Sequence, residues 1–215
     1  MIKQFHQRIL HIFSPPFCAN CKHFLDEPTI LCVECKKMVR PIVSKSIVVT
    51  PSVTMSVIAI GAYIDPLKRM ILAKSWGSRA VSFQLGELIW DMSYIRQQSF
   101  DIIVPIPLHW SRYAWRGYNQ AESIAHVIAE KSGKPVVSLL ARTRRTPFQS
   151  YVAAYKRKSN VEHVFALRNA DQYTNKKILL VDDLMTTGST LKYAAKQLIS
   201  LKPESINAVV AARVI

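Results

Sequence analysis

Short continuous apolar runs alternate along this chain with segments whose apolar residues recur every three or four positions. The runs, rich in branched side chains, predict buried strands over 56–63, 101–105, 136–140, 178–181 and 206–214, with a shorter one over 165–167. The periodic segments predict helices. Leu67, Met70, Ile71 and Lys74 outline one that opens on the Asp65-Pro66 cap and first-turn pair and ends near Gly77. Val81, Leu85, Leu88, Ile89 and Met92 outline a second, over about 79–96. A third, marked by Ala121, Ile124, Ala125 and Ile128, stops around Gly133, and a fourth, marked by Leu191, Ala194, Ala195 and Leu198, is ended by Pro203. Strands alternating with helices imply an α/β fold with a parallel sheet, in which ligands lie beyond the carboxyl ends of the strands.

Three stretches fit neither pattern. Residues 43–51 read as an extended connector or, through their alternating valines, as an edge strand. Residues 110–120 read as turn-like, after Pro105 and Pro107 set a rigid loop where a central strand cannot continue. Residues 1–17 mix Lys3, Arg8 and two histidines with Phe5, Ile9, Ile12 and Phe13, the pattern of a short amphipathic helix. That start lacks the unbroken apolar centre and small-residue cleavage site of a signal peptide, and no run is long enough to cross a bilayer. A cytoplasmic location follows as the default.

Polar residues carry the candidate chemistry where they interrupt the pattern. The run at 178–181 stops at Asp182 and Asp183, placing two acids at the carboxyl edge of a buried strand. Thr186, Thr187, Gly188, Ser189 and Thr190 follow, supplying a glycine for a tight turn, hydroxyl donors and a ready N-cap for the next helix. Backbone N–H groups at such a helix start, with the hydroxyls and the helix dipole, cradle a phosphate. Two carboxylates beside that cradle point to a phosphorylated sugar or nucleotide, with a divalent ion.

All the cysteines lie in the first 35 residues, as Cys18-x2-Cys21-x10-Cys32-x2-Cys35. Two thiolate pairs on short knuckles suit a closed tetrahedral zinc site with a structural role, in a segment too short to build a core unaided. A disulfide framework and a rubredoxin-like iron site use the same residues; the missing secretory signal argues against the first. His23, between the pairs, reads as exposed or as a neighbour of the ligands. The boundary falls at residue 50: an N-terminal helix and four-cysteine module over 1–50 and a larger domain over 51–215.

The formal charge of +15 narrows the partners. From Lys131 to Val161 there are eight basic residues and no acid, a block that attracts nucleic acid or surrounds a polyanionic small substrate such as a diphosphate.

The 178–190 stretch closely resembles the phosphoribosyl-diphosphate motif of the type I phosphoribosyltransferases. A wider set of residues narrows the resemblance: Pro105-Ile-Pro107-Leu108-His109, Arg116-Gly-Tyr-Asn119-Gln120, Gln149, Arg157-x-x-Asn160, Phe165 and 181–190, all downstream of four cysteines. Together, and in this order over practically the whole chain, they resemble the ComF family of competence-associated proteins. The resemblance implies a type I phosphoribosyltransferase-like parallel-sheet domain with a small zinc-ribbon-like module. It also implies binding of phosphoribosyl diphosphate or a related nucleotide with magnesium, and a role in DNA uptake or in handling incoming single-stranded DNA.

By the same resemblance Asp182 and Asp183 hold the ribose hydroxyls, directly or through magnesium, and residues 186–190 wrap the 5-phosphate. Pro107, Leu108 and His109 lie in the loop that meets the diphosphate, and Arg112 and Arg116 in a mobile hood over it. Turnover would displace diphosphate from carbon 1 by a nitrogen nucleophile, with Asp182, Asp183 and Arg116 at the reacting centre. No residue declares itself as a general base, and nothing specifies the acceptor. The rival classes are a binding protein that keeps the fold for recognition and an adaptor for single-stranded DNA or for DNA-processing or recombination proteins.

Overall fold

The structure, a computed structural model, describes residues 17–25, 29–73, 79–143, 164–168 and 170–215. Five strands form one sheet: β1 (Lys45–Thr50), β2 (Val53–Ala62), β3 (Ile102–Pro105), β6 (Lys177–Met185) and β7 (Ser205–Arg213). Their spatial order is β1-β2-β7-β6-β3. β2, β7, β6 and β3 run parallel, so their carboxyl ends share one edge, and β1 pairs antiparallel with β2. Two further strands, β4 (Leu140–Arg142) and β5 (Phe165–Leu167), form a separate antiparallel pair. The helices are α1 (Val33–Lys37), α2 (Leu67–Ala73), α3 (Arg79–Met92), α4 (Trp110–Arg116), α5 (Gln120–Ser132) and α6 (Ser189–Leu198).

Alternate strand residues divide between two cores. Ile58, Ile60, Ile103, Leu179, Val181 and Val209 pack with Leu85 and Ile89 of α3 and Ile124 and Ile128 of α5. Val57, Val104, Ile178, Leu180, Ala208 and Val210 pack with Leu191, Ala194, Ala195 and Leu198 of α6. Covered on both faces, β6 and β7 read as unbroken apolar runs rather than as an alternation. Each fully buried aliphatic side chain here contributes about 1.5–3 kcal/mol relative to exposure. The first core also takes in Cys18, Leu25, Leu31, Cys35 and Val39, so the cysteine segment packs on the same side of the sheet as α3 and α5.

The α/β fold with a parallel sheet stands as expected, and several elements differ in extent. Within the segment at 43–51, Lys45–Thr50 form an edge strand, β1. β6 does not stop at the acids but continues to Met185, because β7 offers partners beyond them: Asp182 pairs with Val210, Leu184 with Ala212 and Met185 with Arg213. The turn-like 110–120 contains a helix, α4, framed by His109 as N-cap and by Gly117 at φ 75°. α3 ends at Met92, where Ser93 turns extended and its hydroxyl accepts from the Ile95 N–H to start a short 3-10 turn over Tyr94–Gln97. Of the strand expected over 136–140, only Val136, in a bridge to Ile103, and Leu140, which opens β4, are paired. Beyond the bridge the chain leaves the sheet edge, because Leu139 and Leu140 are buried in the second core instead. The amphipathic start at 1–16, the basic residues at 144–158, and Gln149, Arg157 and Asn160 lie outside the described residues.

Candidate functional site

β3 and β6 are parallel neighbours only as far as Pro105 beside Val181, and the Ile106 N–H donates to the Val181 carbonyl at 2.9 Å. From Asp182 onward β6 keeps β7 on one side while β3 has given way to the loop at 106–109. The two half-buried acids therefore sit in a notch at the carboxyl edge of the sheet, abreast of that loop. Asp182 and Asp183 thus share the carboxyl edge of the sheet with the loop that carries Pro107, Leu108 and His109. One Asp182 carboxylate oxygen accepts from the Asp183 N–H at 2.9 Å.

Past Met185 the chain bends through Thr186, Thr187 and Gly188 into α6. Gly188 is the N-cap at φ 84°, a left-handed conformation that favours glycine. No side chain caps α6, contrary to the hydroxyl cap read from the sequence. Instead the Thr187 and Ser189 hydroxyls lie 2.9 Å apart, and the Ser189 N–H donates to Thr187 Oγ1 at 3.4 Å. The first-turn N–H groups of a helix have no acceptor inside it. With a positive dipole end and hydroxyls beside them, those of α6 are a set of donors suited to a phosphate.

The loop before α4 is built by buried polar residues. His109 is 7% exposed, and its Nδ1 accepts from the Ser111 N–H at 3.3 Å and lies 2.9 Å from the Ser111 hydroxyl. His109 thus sets the start of α4. Asn119 occupies the N-cap position of α5 without a side-chain cap bond; its amide instead donates to the Ile106 carbonyl at 3.1 Å and ties α5 to the loop. Arg112 and Arg116 fall on α4, and their side chains lie outside the described part of the structure.

At the other end of the chain, sulfurs of Cys18, Cys21, Cys32 and Cys35 all lie within 4.8 Å of one another. Cys21 Sγ and Cys32 Sγ are 3.7 Å apart. Tetrahedral zinc with metal–sulfur bonds near 2.3 Å sets sulfurs about 3.8 Å apart, so the donor set fits that ion. N–H groups point at the sulfurs: Cys32 N–H to Cys18, Cys35 N–H to Cys32, and the Asn20 amide to Cys35 at 3.2 Å. Burial alone would raise the Cys18 thiol, but backbone N–H groups of Cys32, Cys21 and Asn20 outweigh it and bring it down to about 6. Burial pushes the Cys35 thiol up to about 12. His23 is exposed and contributes its carbonyl, which accepts from the Cys18 N–H at 2.9 Å.

Sequence reasoning missed Asn20 as a support of the cysteine cluster. Asn20 stands inside the first Cys-x2-Cys knuckle, where a small polar residue is a readable signal.

Residues 98–214 match the family model described as the phosphoribosyl transferase domain. Over 203 residues the chain is 30% identical to competence protein F of Haemophilus influenzae, covering 91% of this chain and 83% of that protein. It is 26% identical over 190 residues to the DNA utilization protein YhgH of Salmonella typhi, covering 85% and 77% of the two. Over a shorter stretch of 98 residues it is 35% identical to competence protein ComFC of Bacillus subtilis, covering 46% of this chain and 38% of that one.

Proposed function

The chain belongs to the phosphoribosyl transferase domain family, as a ComF-like protein with an N-terminal four-cysteine cluster, and from this we propose that it binds phosphoribosyl diphosphate or a related nucleotide at the β6–α6 turn. Residues 186–190 take the 5-phosphate through backbone N–H groups and hydroxyls, and Asp182 and Asp183 accept from the ribose hydroxyls. The loop at 106–109 faces the diphosphate, with Arg112 and Arg116 as its counter-charges. Two neighbouring carboxylates also suit magnesium, which would offset charge on the diphosphate. Cys18, Cys21, Cys32 and Cys35 hold zinc in a closed, structural site. The names of the relatives, a competence protein and a DNA utilization protein, support a role in DNA uptake, or alternatively in processing incoming single-stranded DNA, and we extend this to DNA-processing proteins as partners. No helix among the described residues is long and apolar enough to cross a membrane, and four clustered thiols fit a cytoplasmic setting.

The observation that carries this reading is the notch itself: two acids, a left-handed glycine and a helix start without a side-chain cap lie on one sheet edge, abreast of the Pro-Ile-Pro loop. Calorimetry with phosphoribosyl diphosphate and magnesium should show saturable binding. Asp182→Asn with Asp183→Asn should weaken it by about 100-fold or more, and unchanged binding in that variant removes the site. Diphosphate release with a panel of nitrogen nucleophiles in the same reaction separates transfer from binding alone.

A further inference from the structure

Gly188 is constrained twice. Beyond its left-handed φ of 84°, a Cβ added there would lie 2.6 Å from Cδ1 of Ile47 and 3.6 Å from Sδ of Met185. Real Cβ atoms do not tolerate the first of these distances, so the Ile47 methyl fills the space that a side chain at 188 would need. Ile47 comes from β1, is half-buried, and packs against the core that contains Leu191 and Ala195 of α6. The turn that starts α6 is therefore backed by a residue from a strand far away in sequence.

β1 is held in place from both ends. On β2, Ile47 pairs with Met55 and Val48 with Thr54, and Val49 and Met55 are buried. Upstream, Arg213 at the end of β7 donates from Nη2 to the Val43 carbonyl at 3.1 Å, and the Ala62 N–H donates to the Arg40 carbonyl at 3.0 Å. A Cβ on Gly61 would lie 2.7 Å from the Arg40 carbonyl oxygen, so this segment is pressed against β2. These contacts fix the backbone of β1 beside the turn.

We propose that Ile47 is a positioning residue for the phosphate-binding turn: its terminal methyl backs Gly188 and fixes the direction of the first N–H groups of α6. The inference rests on the ribose-phosphate reading above and adds to that site a residue that does not touch the ligand. Close packing makes the effect specific, because a void of one methyl removes contacts on one side of the turn outright.

The test is a set of titrations with phosphoribosyl diphosphate and magnesium into wild type, Ile47→Val, Ile47→Ala, Gly188→Ala and the double variant Ile47→Val/Gly188→Ala. Thermal unfolding and zinc content control for folding. Ile47→Val should weaken binding about two- to tenfold, as one buried methyl is lost, and Ile47→Ala should weaken it further. Gly188→Ala should weaken it more than Ile47→Val, through backbone strain and the clash with Cδ1. The same Ile47→Val change should then improve binding about fivefold in the Gly188→Ala background, because it removes the clashing atom. A change that harms in one background and helps in the other is not produced by a general loss of stability. Losses that simply multiply overturn the inference. If Gly188→Ala does not fold, Ile47→Val is compared with Val48→Ala at the exposed neighbour: weaker binding in the first alone supports the role, and equal effects overturn it. Absent binding by wild type sinks the ribose-phosphate reading and this inference with it, whereas wild-type binding with multiplying losses sinks only Ile47.

Discussion

The four-cysteine cluster and the Asp182–Thr190 turn are built in contrasting ways. In the cluster all the candidate metal donors are side chains, their spacing is set by two short knuckles, and their sulfurs already converge. In the turn many of the donors are backbone N–H groups, and their placement depends on β3 ending at Pro105, on β7 extending beside Asp182 and on β1 reaching Gly188. One site is specified locally, the other by the whole sheet. The lesson is that a change within the cluster should damage the fold, whereas a change within the turn should damage recognition and leave the fold standing.

The sharpest break of that contrast comes from the cysteines. Cys18→Ser or Cys35→Ser should abolish stoichiometric zinc and the cooperative unfolding transition, since the metal term in such sites is on the order of 10 kcal/mol and both residues sit in the first core. Elemental analysis and calorimetry report the two effects. Next in size, Asp182→Asn with Asp183→Asn should remove ligand binding while zinc content and melting temperature stay close to wild type, because both acids are half-buried at an edge. A large fall in melting temperature there would erase the contrast.

A smaller effect is expected where the sheet supports the turn site. Asn119→Ala leaves the carbonyl of buried Ile106 without its amide donor and should cost about 1–3 kcal/mol in denaturant unfolding, with ligand affinity falling and zinc content unchanged. At the lower limit, Lys37→Ala breaks the exposed pair with Glu34 on α1 and should change stability by no more than about 0.5 kcal/mol, with zinc retained. A larger loss would mean that the module depends on surface charge as well as on its sulfurs.

What the sequence disclosed follows the same division. The cysteine spacing was legible because knuckle geometry is local, and the apolar face of α6, Leu191, Ala194, Ala195 and Leu198, was legible because helical period is local. The carboxyl end of β6 was not, since its last residues are strand only through partners on β7. α4 was missed because its exposed Trp110 and Tyr113 present no apolar stripe, although Gly117 at its end was a readable stop. The fate of 136–140 depended on a competition between the edge of β3 and the second core, which no local pattern records. Among the site residues, the acids and the threonine-rich turn were visible in the chain, while Ile47 and the structural duty of Asn119 emerge only from topology.

The strand order carries a kinetic consequence. β2, early in the chain, lies between β1 and β7, the last strand, so that Ser56 waits for Asn207 before its ladder is complete. During synthesis on the ribosome a β1–β2 hairpin formed early would keep one long edge of unpaired N–H and C=O groups, and such non-local closure is slow and exposed to aggregation. The packing of Val39 and the cysteine segment against one face of that hairpin would shield part of it, which ties the folding of the N-terminal segment to the survival of the unfinished sheet.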